Sequence, residues 1–154
     1  MILIITGRSI SGGRGTGKLL VSPAPISFLS GVDPETGIVV EKGHPLEGTS
    51  VAGTVLAFPY GKGSTVGSYV LYALTRNGHA PSAIVNTEAE PIIATGAIIG
   101  NIPMIDRPAI PLARLRTGTC VTVDGDRGTM EYDGTLRQDD EEKVRQGSPR
   151  ITGK

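Results

Sequence analysis

A glycine-flanked turn, Gly61–Thr65, carries the residues of this chain that are best suited to chemistry. It follows an apolar run at 55–58 and precedes a segment with helical periodicity at 66–77. The start of a helix presents unpaired backbone N–H groups that bind anions, and glycines let a ligand approach the main chain. These N–H groups and the Lys62 ammonium would favour the alkoxide of Ser64. From the residues alone, Ser64 either acts in catalysis or caps the helix.

Arg107 is a second candidate for binding, because it follows a predicted strand at 102–105. Arginine at such a position can bind a carboxylate or phosphate, and the alternative is a local ion pair. The two histidines suggest structural roles: His79 follows the helix-capping Gly78, and His44 lies in a Gly–Pro loop. The chain has no G-x-S-x-G elbow, which disfavours a hydrolase triad.

Two glycine-rich stretches resemble nucleotide-binding motifs but depart from them. The stretch Gly12–Lys18 lacks the hydroxyl residue that a P-loop needs after its lysine, and it precedes a strand-like run that ends in prolines. The glycines of the Gly61 turn are spaced one residue too far apart for a dinucleotide fingerprint. We therefore expect the first stretch to be a hairpin or loop, and neither stretch to bind a nucleotide.

Composition indicates one domain with many turns. The chain has 154 residues, with 22 glycines, 11 prolines and 4% aromatic residues. Fifteen basic residues balance fifteen acidic ones, which disfavours nucleic-acid binding. The single Cys120 excludes an internal disulfide and a multi-cysteine metal site within this chain. The start, MILIITG, is too short for a signal peptide or membrane span, so we expect a cytoplasmic protein without a membrane partner.

The order of elements predicts an α/β domain with a β-rich core and partly parallel strands. Residues 8–18 are predicted to be a glycine-rich connection, and Thr87 is predicted to cap a helix at 88–96, with Glu90 as its capping-box partner. We expect a domain at 1–133 and a disordered or partner-bound tail at 134–154, where large apolar residues are few. The predicted strands or extended runs are 1–5, 19–22, 26–29, 38–41, 55–58, 82–86, 102–105, 119–124 and 127–132, and the predicted helices are 66–77, 88–96 and a single turn at 112–115.

Three stretches carry a resemblance to a known family: SFLSGVDPETGIV, GHPLEGTSVAGTVLAFPYGKGSTVGSYVLYAL and PSAIVNTEAEPIIATGAIIGNIPMIDR. Together they resemble the small, swivel-domain subunit of the aconitase X family over about residues 7–123. The resemblance implies a swivelling β/β/α domain, with a sandwich- or barrel-like core, as in the swivel domain of aconitase. It also implies that Ser64 is the catalytic base, and that Gly61, Lys62, Gly63, Thr65 and Arg107 help to bind substrate.

The aconitase-type turn carries an arginine just after its serines, where this chain has Thr65-Val66-Gly67. The contact to the substrate carboxylate must therefore lie elsewhere. Residues 80–105 also resemble the phosphohistidine swivel domain of phosphoenolpyruvate-utilising enzymes. That domain has a histidine where this chain has Asn86-Thr87-Glu88, so this second resemblance indicates a shared fold only.

The aconitase X resemblance implies a hydro-lyase that is active only with a large subunit, in a heterodimer or larger assembly. The large subunit would hold a [4Fe-4S] cluster, since this chain has one cysteine. The implied reaction is dehydration of (R)-5-phosphomevalonate to trans-anhydromevalonate 5-phosphate, in a modified, archaeal-type mevalonate pathway for isoprenoid biosynthesis. The alternatives are the small subunit of a cis-3-hydroxy-L-proline dehydratase and a non-catalytic swivel or binding module.

Overall fold

The computed structural model describes residues 2–138. Within them, no helix is long and apolar enough to cross a membrane. The described elements are β1 Ile2–Thr6, β2 Arg8–Ser11, β3 Arg14–Val21, α1 Phe28–Gly31, β4 Val55–Phe58, α2 Gly67–Arg76, β5 Ala83–Asn86, α3 Pro91–Ile99, β6 Met104–Asp106, a 3₁₀ turn at Leu112–Arg114, β7 Cys120–Asp124 and β8 Thr129–Asp133.

The strands form one sheet in the order β1-β8-β7-β3-β4-β5-β6-β2. Strands β3 to β6 are parallel neighbours, and the remaining pairs are antiparallel. The first part of β3 pairs with β7 and its last three residues pair with β4, so β3 joins the two parts of the sheet. Strands β1 and β2 lie at opposite ends of the order, yet only Gly7 separates them in the chain. The sheet must therefore curl until its edges meet at Gly7.

Two apolar cores give the molecule its layers. Leu56 and Phe58 lie in a core shared with Leu71 of α2 and Ile93 of α3. The alternate residues of the same strand, such as Val55, lie in a second core with residues of β7 and β8. Because both faces of β4 are buried, it appears in the sequence as a continuous apolar run. The predicted β/β/α layering and the parallel β4–α2–β5 and β5–α3–β6 units are confirmed.

The prediction of a connection at 8–18 is wrong, because these residues form β2 and most of β3. The P-loop-like glycines precede and enter β3 rather than a helix. In β3, a side chain at Gly15 would contact the backbone of Ser82, and one at Gly17 would contact the backbone of Gly53. Glycine is needed here for close packing, not for a turn. The expected extended run at 26–29 is also wrong at its end, since α1 begins at Phe28.

Helix α3 begins at Pro91, three residues later than predicted. Glu90 is itself the N-cap, and its carboxylate accepts the amides of Ile92 at 2.9 Å and Ile93 at 2.7 Å. The Thr87 cap is therefore wrong. Proline favours the first position of a helix, where its missing N–H costs nothing, and this sets the start of α3. The expected strand at 38–41 is reduced to isolated bridges, at Ile38 and Val39.

The first residues of the predicted tail lie against the domain. The buried Tyr132 hydroxyl donates to the Thr135 carbonyl at 2.7 Å, and Leu136 packs against the second core. The Arg137 amide donates to the Arg114 carbonyl at 2.7 Å. The packed chain thus extends to at least Arg137, and the rest of the predicted tail, 139–154, lies outside the described residues.

Candidate active site at the carboxyl ends of the parallel strands

The candidate residues follow three neighbouring parallel strands. The Ser64 turn comes after β4, Glu88 comes after β5, and Arg107 comes directly after β6. The carboxyl ends of parallel strands meet at one edge of the sheet, where ligands of α/β folds bind. Strands β4 and β6 flank β5, so their ends lie about 10 Å apart. The fold thus brings the predicted residues to one edge.

The two glycines of the turn are held by close packing. Gly61 forms a bridge with Ile26, and a side chain at position 61 would contact Ile93 and lie 2.7 Å from Oε1 of Glu90. Gly63 has φ +94°, a left-handed conformation that disfavours any other residue, and a Cβ there would lie 2.7 Å from the Ser27 hydroxyl. These contacts fix the path of the chain on both sides of Lys62.

Ser64 closes a short turn ahead of the helix. Its Oγ accepts the Val66 amide at 3.1 Å, and its carbonyl accepts the Gly67 amide at 3.0 Å. Helix α2 starts at Gly67, and its N-cap residue, Val66, makes no side-chain cap. Ser64 is thus not the N-cap residue of α2 itself, but its Oγ accepts the amide two residues ahead as a capping hydroxyl does, and i→i+3 bonds run from Ser64 into the helix. The side chain is partly exposed, and no residue among 2–138 accepts its hydroxyl hydrogen in a hydrogen bond.

The other residues of the turn face different partners. The Thr65 carbonyl accepts the Ser68 hydroxyl at 3.1 Å, which extends the turn into α2. The Lys62 ammonium lies 3.2 Å from Oε2 of Glu41, so it contacts this carboxylate rather than Ser64. Such a partly exposed pair contributes less than about 1 kcal/mol, so Lys62 can change partners readily.

Arg107 forms the local ion pair that was the alternative to ligand binding. Its Nε and Nη2 donate to the Glu88 carboxylate at 3.1 and 2.8 Å. Both side chains are more than half exposed, so an incoming carboxylate or phosphate can replace Glu88 at little cost. Arg107 also has φ +51°, an unusual conformation for a residue with a side chain. Such strain occurs often at ligand sites.

Comparison with known proteins identifies the family. Residues 4–132 match the family model described as the aconitase X swivel domain. The chain belongs to the aconitase X swivel-domain family. It is 59% identical over 128 residues to the phosphomevalonate dehydratase small subunit of Methanocella arvoryzae, covering 82% of this chain and 97% of that relative. It is 54% identical over 127 residues to the protein of the same name from Thermococcus gammatolerans, covering 82% and 95%.

A solved structure agrees with this family. The holo form of aconitase X from Thermococcus kodakaraensis contains a chain that is 52% identical to this swivel domain, with a TM-score of 0.82. The likeness covers 86% of this chain and 99% of that one. The predicted fold class and family are therefore confirmed.

An ion pair between a buried aspartate and a half-exposed arginine supports the site edge of this swivel domain, and the sequence did not predict it. Asp106 is fully buried, and Arg8 donates to its two oxygens at 2.9 and 2.8 Å. The Ala89 amide donates to the same carboxylate at 2.8 Å, which ties the Glu88 loop to β6. The only signal in the sequence was an aspartate that ends an apolar strand, and its partner lies 98 residues away.

The charges of this edge reinforce one another. Burial alone would raise the pKa of Asp106, but the hydrogen bonds from Arg8 and Ala89 outweigh it and lower that pKa below its ordinary value. The hydrogen bonds from Arg107 likewise lower the pKa of Glu88. Both carboxylates are therefore ionised at neutral pH, so neither is a general acid.

The remaining candidates of this aconitase X domain have structural surroundings. His44 is buried, accepts the Leu46 amide at Nδ1 and donates from Nε2 to the Pro25 carbonyl, each at 3.0 Å, so its role is packing. The His79 amide donates to the Leu74 carbonyl at 2.9 Å, past the end of α2. Cys120 is exposed and unpaired on β7. Across residues 2–138, no three His, Cys, Asp or Glu side chains are grouped to hold a metal ion.

Proposed function

We propose that this chain is the small subunit of a two-chain dehydratase that converts (R)-5-phosphomevalonate to trans-anhydromevalonate 5-phosphate. The observation that carries the proposal is the likeness to phosphomevalonate dehydratase small subunits across nearly their whole length. The geometry supports it through Ser64, which lies with a partly exposed hydroxyl on a closely packed turn, at the sheet edge where ligands of α/β folds bind.

In this proposal, Ser64 removes a proton from the carbon next to the substrate carboxylate. The C–H electron pair forms the new double bond, and the hydroxyl on the neighbouring carbon leaves with the electron pair of its C–O bond. It takes up one proton to become water, and Ser64 releases the proton that it gained, so the net change is the loss of one water molecule. The Val66 amide already donates to Oγ of Ser64, and such a donor would stabilise negative charge on that oxygen. Arg107 releases the Glu88 carboxylate and binds an acidic group of the substrate in its place.

The proposal also needs a second chain. The family resemblance implies a [4Fe-4S] cluster, whose chemistry is Lewis-acid activation of the leaving hydroxyl. The side chains of residues 2–138 do not fit such a cluster, since Cys120 is alone among possible thiolate ligands and no cluster of other ligands accompanies it. A large subunit would therefore hold it.

The surface beside the turn supports such a partner. Tyr60 is 48% exposed and Tyr69 is 70% exposed, and both lie within five residues of Ser64 in a chain with only 4% aromatic residues. Exposed apolar groups gathered beside a candidate site are typical of a surface that another chain covers.

The test is Ser64→Ala in the complex of this chain with its large subunit. We expect the dehydration rate to fall by about 10²–10⁴, because a general base is lost. The matched control is Ser82→Ala, which removes a serine that bonds to the Gly53 carbonyl outside the turn, and it should keep the parental rate. Thermal unfolding checks that both variants fold.

Activity of Ser64→Ala within about fivefold of the parent would exclude Ser64 as the base. The same preparations are assayed with cis-3-hydroxy-L-proline. Turnover of that compound, with none of phosphomevalonate, would support the alternative dehydratase. A complex that forms but never depends on Ser64 would favour a non-catalytic module.

A further inference from the structure

A cavity lies at the same strand edge as the Ser64 turn but on the side of the second core. The cavity has a volume of about 630 Å³, within the range of small-molecule sites. Val21 at the end of β3, Pro59 after β4 and Thr87 after β5 line it, together with Leu112 and Leu115. Its position relative to the parallel strands is therefore that of a ligand site.

The charged side chains that line this cavity in the described residues are all positive. Arg116 and Arg137 line it, and no aspartate or glutamate of the described residues does. Among residues 2–138, no carboxylate forms an ion pair with either arginine, whereas Arg8, Arg14, Arg107 and Arg127 all have acidic partners. Two guanidinium groups without counter-charges among these residues, at a cavity whose other described lining residues are uncharged, favour an anion there.

The backbone of both arginines is held in place. The Arg116 amide donates to the hydroxyl of the buried Tyr132 at 2.9 Å, and the same hydroxyl donates to the Thr135 carbonyl. Arg137 is bound to Arg114 in both directions, because its amide donates to the Arg114 carbonyl and its carbonyl accepts Nε of Arg114 at 3.0 Å. Little backbone entropy is therefore lost when the two side chains bind a ligand.

We propose that this cavity binds a small organic phosphate. Its phosphate pairs with Arg116 and Arg137, and its carbon chain contacts Val21 and Leu115. A phosphate monoester carries a charge near −2 at neutral pH, which matches two guanidinium groups. The proposal rests on the proposed function only in that the substrate named there carries such a group, and it does not require Ser64 to act as a base.

The test is a titration of the full chain, labelled for NMR, with 5-phosphomevalonate and with mevalonate. We expect saturable shifts of the Val21 and Thr117 amides with the phosphorylated compound, and affinity lower by at least about tenfold for the unphosphorylated one. Arg116→Gln should weaken phosphate binding by about tenfold or more. Arg127→Gln is the matched control, because its side chain is 83% exposed on the β7–β8 turn, and it should bind like the parent.

Three results would overturn the proposal: equal binding of both compounds, unchanged binding by Arg116→Gln, or no saturable binding up to about 10 mM. The competing occupant is the acidic run at 139–142, which follows Arg137 closely in the sequence. If only a full-length variant with these four residues changed to Asn or Gln binds, the acidic run is the occupant instead. Binding without dehydration by the complex would refute only the function, and dehydration without binding would refute only the cavity.

Discussion

Gly61 gives the sharpest test of how the Ser64 turn is held, because an added methyl group has nowhere to go. In Gly61→Ala the new Cβ would contact Ile93 and lie 2.7 Å from Oε1 of Glu90. Ile93 is 2% exposed and branched at Cβ, so it cannot rotate away cheaply. Glu90 caps α3 through the Ile92 and Ile93 amides, so moving its carboxylate costs the cap.

The magnitude follows from these two contacts. Overpacking of a core costs about 1–3 kcal/mol, and loss of an N-cap costs about 1 kcal/mol. We therefore expect Gly61→Ala to lower the free energy of unfolding by about 2–4 kcal/mol, with a fall in Tm of about 5–15 °C. Denaturant and thermal unfolding of the isolated chain measure both quantities.

Gly67→Ala is the matched control on the other side of Ser64. A Cβ there would meet Ile92 at 3.5 Å and Phe28 at 3.8 Å, which are ordinary contacts. Since Gly67 opens α2 and alanine is the better helix former, stability should rise by up to about 1 kcal/mol. If the free energy of unfolding of Gly61→Ala lies within about 0.5 kcal/mol of the parental value, the turn is free to move away from α3. The argument that packing holds Ser64 in place would then fail.

Two further predictions concern buried polar groups. Asp106→Asn should cost about 2 kcal/mol at neutral pH, less than a fully buried pair because Arg8 is 46% exposed. Because the pKa of Asp106 is lowered in the folded state, its contribution is present above the unfolded-state pKa of about 3.9 and is lost as pH falls through the folded-state pKa. Unfolding measured from pH 7 to pH 3 should thus show less acid destabilisation in the variant than in the parent, and parallel curves would contradict this. Tyr132→Phe should lower the free energy of unfolding in denaturant by about 1–3 kcal/mol, because it leaves the Arg116 amide and the Thr135 carbonyl unpaired. The control is Tyr72→Phe, at a partly exposed position, which should lower it by less than about 0.5 kcal/mol. Equal losses in the two variants would refute the role of the Tyr132 hydroxyl.

The parts of the fold that the sequence predicted are those with strong local patterns. Strands β4 and β5 are buried on both faces and appear as apolar runs, and α2 shows helical periodicity. The end of β3 was predicted as a strand at 19–22, but its first part was missed because glycines usually mark turns. Gly15 and Gly17 instead allow close approach between chain segments that are distant in sequence. A pattern within a short window cannot show such a long-range contact.

The parts of the candidate site that the sequence predicted are likewise those formed by neighbouring residues. The turn around Ser64 was found because its glycines and the following helix are adjacent in sequence. The Arg8–Asp106 pair and the cavity with Arg116 and Arg137 were not found, because each joins segments that only the folded sheet brings together. The role of Ser64 as a base rested on the family resemblance, and it stays a prediction.

The single residue between β1 and β2 has a consequence for how the chain folds. Gly7 donates its amide to the Gly128 carbonyl at 2.7 Å, and a Cβ on it would lie 2.6 Å from the Asp106 carbonyl. Within the described sheet, β1 therefore pairs only with β8, and β2 pairs only with β6, so both partners lie far along the chain. Pairing across such separations is slow, so folding should take milliseconds to seconds. On the ribosome, β2 must therefore remain unpaired until β6 has emerged, and β1 must remain unpaired until β8 has emerged.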